Sequence, residues 1–359
     1  MAISIGAGIN IGGGIAIGAP PPLYFTTPAA MNGTSIVGIM NGITCNSAGL
    51  FVAVGYNGSN GYSLYATSAD GSTWTTPASM NGSTSTATMK SITVNSAGLF
   101  VAVGSTGAPD NYPTYATSAD GSTWTTPALM NGSTSPAIMT SVTVNSAGLF
   151  VAVGYSATDP GGGIALYATS TDGSTWTTPA YMSGSATFAF MNSATIDSSG
   201  TFVSVGNGNY ATYSTSTDGS TWLQPSAMTG STNNQVMLSV TVDSAGLFVA
   251  VGFDNINNYA LYATSTDGST WTTPAPMNGT SVGYMYSVAV STAGKFVAVG
   301  WNQSNYPMYA TSTDGSTWTV PALMNGDTSY NHMTSVAVNS AGLFVAVGGG
   351  NRPTYATSY

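Results

Sequence analysis

Side chains that could do chemistry are scarce in this sequence. Of its 359 residues only 4% are charged; the 12 acidic residues are all Asp, and the basic residues are Lys90, Lys295 and Arg352. His332 is the only histidine and Cys45 the only cysteine. Single His and Cys residues do not build a zinc site of the usual ligand types, and one Cys allows no internal disulfide. We therefore expect no metal and no cofactor, and the net charge of −9 makes nucleic acid an unexpected partner.

Six of the Asp residues recur in one motif, Ser-Ala/Thr-Asp-Gly-Ser-Thr-Trp, which we call the Asp-Gly turn. An Asp before Gly can accept hydrogen bonds from the N–H groups of its own turn. The Trp that follows is a large apolar side chain, and we expect it to be buried between neighbouring repeats. We predict a structural role for the residues of these turns: Asp70, Trp74, Asp120, Trp124, Asp172, Trp176, Asp218, Trp222, Asp267, Trp271, Asp314 and Trp318.

The other Asp residues do not form a recognisable catalytic pair. Asp197 and Asp243 replace a turn Asn of other repeats, and Asp110, Asp159, Asp254 and Asp327 lie in separate variable loops. A glycosidase needs two carboxyl groups that face each other across the substrate, and His332 has no nucleophile motif beside it. We predict that the protein is not an enzyme and name no catalytic residue; a glycan-active enzyme remains the alternative.

A second motif, Phe-Val-Ala/Ser-Val-Gly, sets the architecture. It begins at Phe51, Phe100, Phe150, Phe202, Phe248, Phe296 and Phe344. Each repeat is rich in β-branched and aromatic residues separated by Asn, Asp and Gly, which predicts four short strands; in the third repeat these are 141–144, 149–153, 167–170 and 175–178. Seven such repeats predict an all-β protein, a seven-bladed β-propeller.

The ends of the chain predict how the ring closes. The last repeat stops at Tyr355-Ala356-Thr357-Ser358, where the Asp-Gly turn should follow. Residues 23–33 match the residues that follow Trp124 in a complete repeat. We therefore expect the N-terminal residues of the propeller to supply the last strand of the seventh blade.

The Asp-Gly turn resembles the Asp-box of bacterial neuraminidase repeat-like propellers, with one residue fewer between Asp and Trp. This resemblance covers residues 23–359 and implies the propeller fold. Sialidases of that family use three Arg residues, a Tyr nucleophile assisted by Glu, and an Asp acid/base. The chain has one Arg and no Glu, so the resemblance does not carry over the activity.

Sequence variation collects on one face of the predicted propeller, which we call the variable face. It holds the loops between second and third strands and the connections between blades. These loops are rich in Asn, Tyr, Pro and Gly. Amides form hydrogen bonds with sugar hydroxyls and aromatic rings stack on sugars, so glycan binding is one interpretation. The other is that the loop sequences vary because no ligand constrains them. The candidate ligand residues are Tyr56, Asp110, Tyr112, Tyr155, Asp159, Asn209, Asp254, Asn257, Trp301, Asn305, Asp327 and Arg352.

Each connection between blades carries a pair of Met residues. Thioether sulfur can bind a soft metal such as Cu(I), but it also fills irregular core space, and its recurrence in every repeat favours packing. The Met pairs are Met31/Met40, Met80/Met89, Met130/Met139, Met182/Met191, Met228/Met237, Met277/Met285 and Met324/Met333.

Cys45 takes the position that Val94 and Val144 have in other repeats, so we expect it in the core.

Residues 1–22 precede the repeats and form a separate unit. Three tandem hexapeptides place Ile on one face of an extended strand with a period of two, at Ile3, Ile5, Ile9, Ile11, Ile15 and Ile17. The segment has no basic region typical of a signal peptide and no helical period typical of a membrane span. We expect it to be an assembly anchor that adds a strand to a partner, with a disordered tail or a membrane element as alternatives.

The division into an anchor with a Pro spacer (1–22) and a propeller (23–359) indicates a structural protein. The Ile/Gly hexapeptides resemble structural proteins of tailed bacteriophages, which implies a virion protein that joins an oligomeric particle through residues 2–20 and displays its propeller to surface glycans. A secreted lectin or a self-polymerising extracellular filament is the alternative. Neither interpretation includes membrane insertion.

Overall fold

The Phe-Val-Ala-Val-Gly segments form the second strand of every blade. In the third blade Phe150, Val151, Ala152 and Val153 are all fully buried, because neighbouring blades cover both faces of this strand. Such unbroken apolar runs are expected where a strand has no face toward water. The computed structural model describes residues 22–359 apart from 33–35, 82–85, 134, 157–162, 185–187 and 279–282.

Seven antiparallel sheets of four strands follow one another around a ring, which confirms the predicted seven-bladed β-propeller. Six sheets use four consecutive strands, and the seventh takes its fourth strand from the N-terminal side of the chain. The blades comprise Gly38–Cys45, Phe51–Asn57, Ser63–Ser68 and Ala78–Ser79; Ala87–Val94, Phe100–Thr106, Pro113–Ser118 and Ala128–Leu129; Ala137–Val144, Phe150–Ser156, Ala165–Ser170 and Ala180–Tyr181; Ala189–Ile196, Phe202–Gly208, Ala211–Ser216 and Ser226–Ala227; Gln235–Val242, Phe248–Asp254, Ala260–Ser265 and Ala275–Pro276; Tyr284–Val290, Phe296–Trp301, Pro307–Ser312 and Ala322–Leu323; and Asn331–Val338, Phe344–Gly350, Pro353–Thr357 and Ala29–Ala30.

Ring closure follows the prediction. Ala29 and Ala30 pair with Tyr355 and Thr354 in antiparallel register, and the Thr26 N–H donates to the Thr357 carbonyl at 2.8 Å. The two ends of the propeller therefore complete one sheet with main-chain hydrogen bonds.

The fourth strand differs from its predicted position. In the third blade it was expected at 175–178, but the structure has only the two residues Ala180–Tyr181. The Thr177 N–H does reach the Thr169 carbonyl, but the Thr169 N–H donates to the hydroxyl of Thr177 at 2.9 Å. A side-chain hydroxyl thus replaces a backbone carbonyl as the acceptor of one hydrogen bond between the strands, and this shortens the fourth strand.

The core lies between blades. One cluster joins Val101 and Val103 of the second blade to Phe150 and Trp176 of the third. The same arrangement recurs around the ring, and the paired Met residues are among these buried side chains, each at most 2% exposed. This supports the packing interpretation of the Met pairs.

Cys45 lies at the edge of the core between the seventh and first blades. It is half-buried and packs against that cluster, and burial raises the pKa of its thiol to about 11. This agrees with the expected packing role, although the residue is not fully enclosed.

Candidate functional site

Each Asp-Gly turn is held by hydrogen bonds from its own backbone to its Asp. Asp120 Oδ1 accepts hydrogen bonds from the N–H groups of Ser122 (2.7 Å) and Thr123 (2.6 Å). These bonds, the Thr123 N–H first, lower the pKa of Asp120 to about 2. Gly121 has a φ of +77°, and a Cβ there would lie 2.7 Å from the Val52 side chain. The other five turn carboxylates have lowered pKa values and equivalent bonds.

Each turn also seats its Trp against the neighbouring blade. Trp124 Nε1 donates to the Gly121 carbonyl at 3.0 Å, and its ring lies 6.3 Å from that of Tyr65 in the preceding blade. Trp124 is 2% exposed. The predicted burial of the turn Trp between repeats is therefore confirmed.

The first strands line a central channel. Each has a bulge after its Met, and the extra residue faces the axis: Asn41, Lys90, Thr140, Asn192, Leu238, Tyr286 and Thr334. Some of these side chains connect neighbouring blades, since Asn41 Nδ2 donates to the Met89 carbonyl at 2.7 Å. Lys90 is the basic residue of this lining, and burial lowers the pKa of its ammonium group.

An aromatic stack occupies the mouth of the channel on the variable face. The Trp301 ring lies 3.6 Å from Tyr286 at 18° and 4.3 Å from His332 at 24°. Two rings so close and nearly parallel to one indole would overlap if they shared a face, so they lie on opposite faces. Trp301 was a candidate ligand residue, but both of its faces are taken within the protein.

His332 is fixed by the same stack. Its Nε2 is hydrogen-bonded to Asn305 Oδ1 at 2.8 Å, and burial lowers the pKa of the imidazole. The candidate residue Asn305 therefore orients His332. The sequence assigned His332 no role, and its contacts with Trp301 and Asn305 become visible only when neighbouring blades are brought together.

Asp254 is also internal rather than ligand-facing. It is 7% exposed, and its Oδ1 accepts the N–H groups of Ile256 and Asn257. The amide of Asn257 donates to Asp254 Oδ2 at 3.2 Å. Burial raises the pKa of Asp254, but these hydrogen bonds and one from Gln235 outweigh it and leave the pKa below its usual value.

The other candidate residues are distributed around the variable face. Asp110, Asn209 and Arg352 are exposed, and Tyr56 and Tyr112 are half-buried. Tyr155 meets the ring of Phe190 edge-on at 4.5 Å. Asp327 accepts the Ser329 N–H and hydroxyl. Asp159 and the six Ile residues of the predicted anchor, Ile3, Ile5, Ile9, Ile11, Ile15 and Ile17, lie outside the described residues.

Two outer clefts open on the variable face at equivalent places in different blades. The cleft of the third blade has a volume of about 170 Å³. Its walls include Tyr181, which is 55% exposed, and the hydroxyl residues Ser133 and Ser135. Its floor includes the buried Leu166, which pairs with Tyr181 across the sheet.

The cleft of the seventh blade has a volume of about 250 Å³. Here Thr354 takes the place of Leu166, and its partner across the sheet is Ala30 in place of Tyr181. The wall is aromatic again, because Tyr330 from the incoming loop is 54% exposed. Arg352 lies on the rim. Sequence reasoning named Arg352 but missed Tyr330 and Thr354, since the cleft forms only when the N-terminal strand closes the ring.

In the part of the chain that the structure describes, no three His, Cys, Asp or Glu side chains are close enough to share a metal ion. No helix among the described residues has the length and hydropathy needed to cross a membrane.

No protein-family model and no curated protein sequence matches the chain. Solved structures resemble its fold at low identity. The lectin BP39L from Burkholderia pseudomallei is 10% identical, with a TM-score of 0.65 over 89% of this chain and 97% of the lectin. The WD40 propeller domain of Doa1 is 12% identical, with a TM-score of 0.61 over 93% and 96%. A Hadza microbial sialidase is 14% identical, with a TM-score of 0.55 over 89% of this chain and 65% of the sialidase.

These similarities show the propeller fold, which the lectin, the WD40 domain and the sialidase share. The resemblances to Asp-box proteins and to phage structural proteins rest on the sequence motifs alone.

Proposed function

We propose that this protein is a non-enzymatic carbohydrate-binding propeller that holds single sugar residues in the outer clefts of its variable face. The observation that carries the proposal is the recurrence of one cleft in two blades, each time with a half-exposed Tyr beside polar side chains. An exposed aromatic ring offers an apolar surface for the C–H face of a sugar, and hydroxyl and amide groups pair with its hydroxyls.

The size of the clefts supports small ligands. Volumes of about 170 and 250 Å³ lie below the range of roughly 300–1,000 Å³ that encloses drug-sized molecules. Such open clefts suit one sugar ring at the end or side of a glycan. Weak sites of this kind gain avidity when several act on the same surface.

Two carboxylates of the variable face, Asp254 and Asp327, support binding without catalysis. A glycosidase acid needs a raised pKa, but the pKa of Asp254 is lowered by the hydrogen bonds of its own loop. Asp327 uses both carboxylate oxygens on Ser329. These two Asp residues therefore stabilise the conformation of their own loops.

A glycan array with the full chain tests the proposal. We expect binding that falls by about tenfold or more in Tyr181→Ala or Tyr330→Ala, because each removes the aromatic wall of one cleft. Tyr359→Ala is the matched control, since Tyr359 is 71% exposed at the opposite side of the blade, beside Tyr24. Absence of binding to every glycan, or equal loss in all three variants, would overturn the proposal.

We also propose that the protein is displayed on a virion, or alternatively on an extracellular filament, through residues 2–20. The described hydrogen bonds that close the ring involve Tyr24, Thr26 and Met31, and residues 2–20 lie outside the described residues. The period-two apolar pattern of this isoleucine-rich segment suits strand addition.

Deletion of residues 2–20 tests this second role. We expect a folded propeller that no longer joins its particle or filament, seen by electron microscopy and sedimentation. Replacement of Ile3, Ile9 and Ile15 by Ser is the matched point variant, because it keeps the length of the segment. Unchanged assembly in both variants would rule the anchor out.

A further inference from the structure

We infer that the cleft of the seventh blade binds an acidic sugar, that is, a sugar residue bearing a carboxylate or a sulfate ester. This inference rests on the proposed carbohydrate binding and adds the ligand class of one cleft. It is carried by Arg352 and by the exposed ring of Tyr330, which line the same cleft.

Arg352 is the basic side chain available on the variable face. Lys90 lines the central channel, and Lys295 lies on the opposite side, in the turn where its carbonyl accepts a hydrogen bond from the Ser291 N–H. Arg352 is exposed and lines the cleft. Its planar guanidinium presents paired N–H donors that fit a carboxylate or sulfate better than a neutral hydroxyl.

The floor of the cleft carries a polar atom without a partner. Thr354 is 5% exposed, lines the cleft, and its Oγ1 makes no hydrogen bond within the described protein. The small side chain of Ala30 lies opposite it in the sheet, where the third blade has Tyr181 opposite Leu166. The same unpaired hydroxyl recurs at Thr114 and Thr212 in other blades, and it is enclosed by protein, so it belongs to the packing of the blades and not to the sugar site.

The remaining walls complete a sugar site. Tyr330 presents its half-exposed ring, and the amides of Asn331 and Asn351 line the same cleft. The seventh blade thus combines a cation, an aromatic face and amides, whereas the cleft of the third blade has no basic residue in its lining.

Asp327 sets a limit on the affinity for an anion. Its carboxylate binds Ser329, and Ser329 lines the cleft, so its negative charge opposes that of an acidic sugar. Asp327→Asn keeps an acceptor for the Ser329 N–H and removes the charge. We therefore expect this variant to bind the acidic sugar more tightly.

Titration calorimetry on the full chain tests the inference with three probes: galacturonate oligomers, sulfated galactose oligomers and neutral galactose oligomers. We expect at least one acidic probe to bind about tenfold more tightly than the neutral one, and the comparison of the two acidic probes identifies the anionic group. Arg352→Gln should weaken this binding by about tenfold or more. Lys295→Gln is the matched control, because it changes the net charge equally on the opposite face.

A second pair of variants tests the floor. Thr354→Val removes only the enclosed hydroxyl, so it should raise the melting temperature and leave binding of the acidic probe unchanged. Thr212→Val is the control: Thr212 occupies the same register in the fourth blade and also has a buried, unpaired Oγ1. It should raise the melting temperature without changing binding.

The outcomes separate the two proposals. Equal binding of acidic and neutral probes, no binding of either acidic probe, or wild-type affinity in Arg352→Gln overturns the acidic-sugar inference. If neutral glycans still bind and depend on Tyr181, the proposed function stands alone. If no glycan of any class binds, both proposals fail.

Discussion

The hydroxyl of Ser335 in the seventh blade accepts a hydrogen bond from the N–H of Ile43 in the first blade, at 3.3 Å. The same bond crosses five other blade boundaries, with Ser91, Ser141, Ser193, Ser239 and Ser287 as acceptors. These serines form a ring of hydroxyls around the channel. At the seventh position stands Gly42, so the Ile92 N–H meets no hydroxyl across the boundary between the first and second blades.

Gly42→Ser should complete this ring and stabilise the propeller. A new hydrogen bond to the Ile92 N–H contributes about 0.5–1.5 kcal/mol, and the loss of Gly lowers the entropy of the unfolded chain. The added Cβ would lie 3.1 Å from Ser91 Cα, a close contact that a shift of a few tenths of an ångström relieves. Thermal or denaturant unfolding measures the effect.

Gly42→Ala serves as the control for this variant, because it adds the Cβ without the hydroxyl. The difference between the two variants isolates the hydrogen bond. If Gly42→Ser is no more stable than Gly42→Ala, the serine ring does not stabilise the blade boundaries.

The Asp-Gly turns should make stability depend on acid pH. An unfolded Asp has a pKa near 3.9, whereas hydrogen bonds lower the pKa of all six turn carboxylates in the folded state, Asp120 to about 2. Below pH 4 the unfolded chain therefore binds more protons than the folded one. We expect a small fall in melting temperature between pH 7 and about pH 5, because burial lowers the pKa of His332, and a larger fall between pH 4 and pH 2.

Asp120→Asn offers a direct check of this linkage. The amide oxygen can still accept from Ser122 and Thr123, but it does not titrate. The variant should lose a smaller amount of stability than wild type between pH 4 and pH 2. Parallel curves for the two proteins would mean that the acid sensitivity arises elsewhere.

Prediction from the sequence succeeded where spacing alone determines the structure. The recurrence of Phe150 and Trp176 in register fixed the number of blades, and the match between residues 23–33 and the residues after Trp124 fixed ring closure. The fourth strand was placed too early. The Thr169 N–H donates to the hydroxyl of Thr177 instead of to a backbone carbonyl, and composition does not reveal such a bond.

The candidate site was harder to predict, because it depends on contacts between blades. Trp301 looked available for a ligand, but its two faces are covered by Tyr286 of its own blade and His332 of the next. Tyr330 and Thr354 acquire a shared cleft only through the N-terminal strand. Such contacts join residues from separate repeats, and a repeat pattern read along the chain does not pair them.

Trp301→Ala should lower stability and change the titration of His332. Loss of a half-buried indole that contacts two rings costs about 2 kcal/mol. Burial lowers the pKa of His332, so its exposure in the variant should raise that pKa toward its ordinary value near 6.5. NMR titration follows the single histidine, and Phe253→Ala, beside Tyr284 in a neighbouring part of the mouth, is the control that should leave His332 unchanged.

The last prediction concerns Phe25, which takes the place of the missing seventh Trp. It is fully buried, and its ring lies 5.2 Å from Tyr309 of the preceding blade, as Trp124 lies beside Tyr65. Phe25→Ala should destabilise the propeller by about 3–5 kcal/mol, because it leaves a cavity where the two ends of the ring meet.

Two deletions separate this packing from the role of the preceding segment. Removal of residues 2–20 should leave the melting temperature nearly unchanged, because the pairing that closes the ring involves Ala29 and Ala30. Removal of residues 2–31 should open the ring, since it deletes both the buried Phe25 and the fourth strand of the seventh blade. Calorimetry measures the melting temperature of both proteins. Equal melting temperatures would mean that the propeller is held closed without its N-terminal strand. A large fall in the melting temperature after deletion of residues 2–20 would assign the isoleucine segment a structural role within the ring.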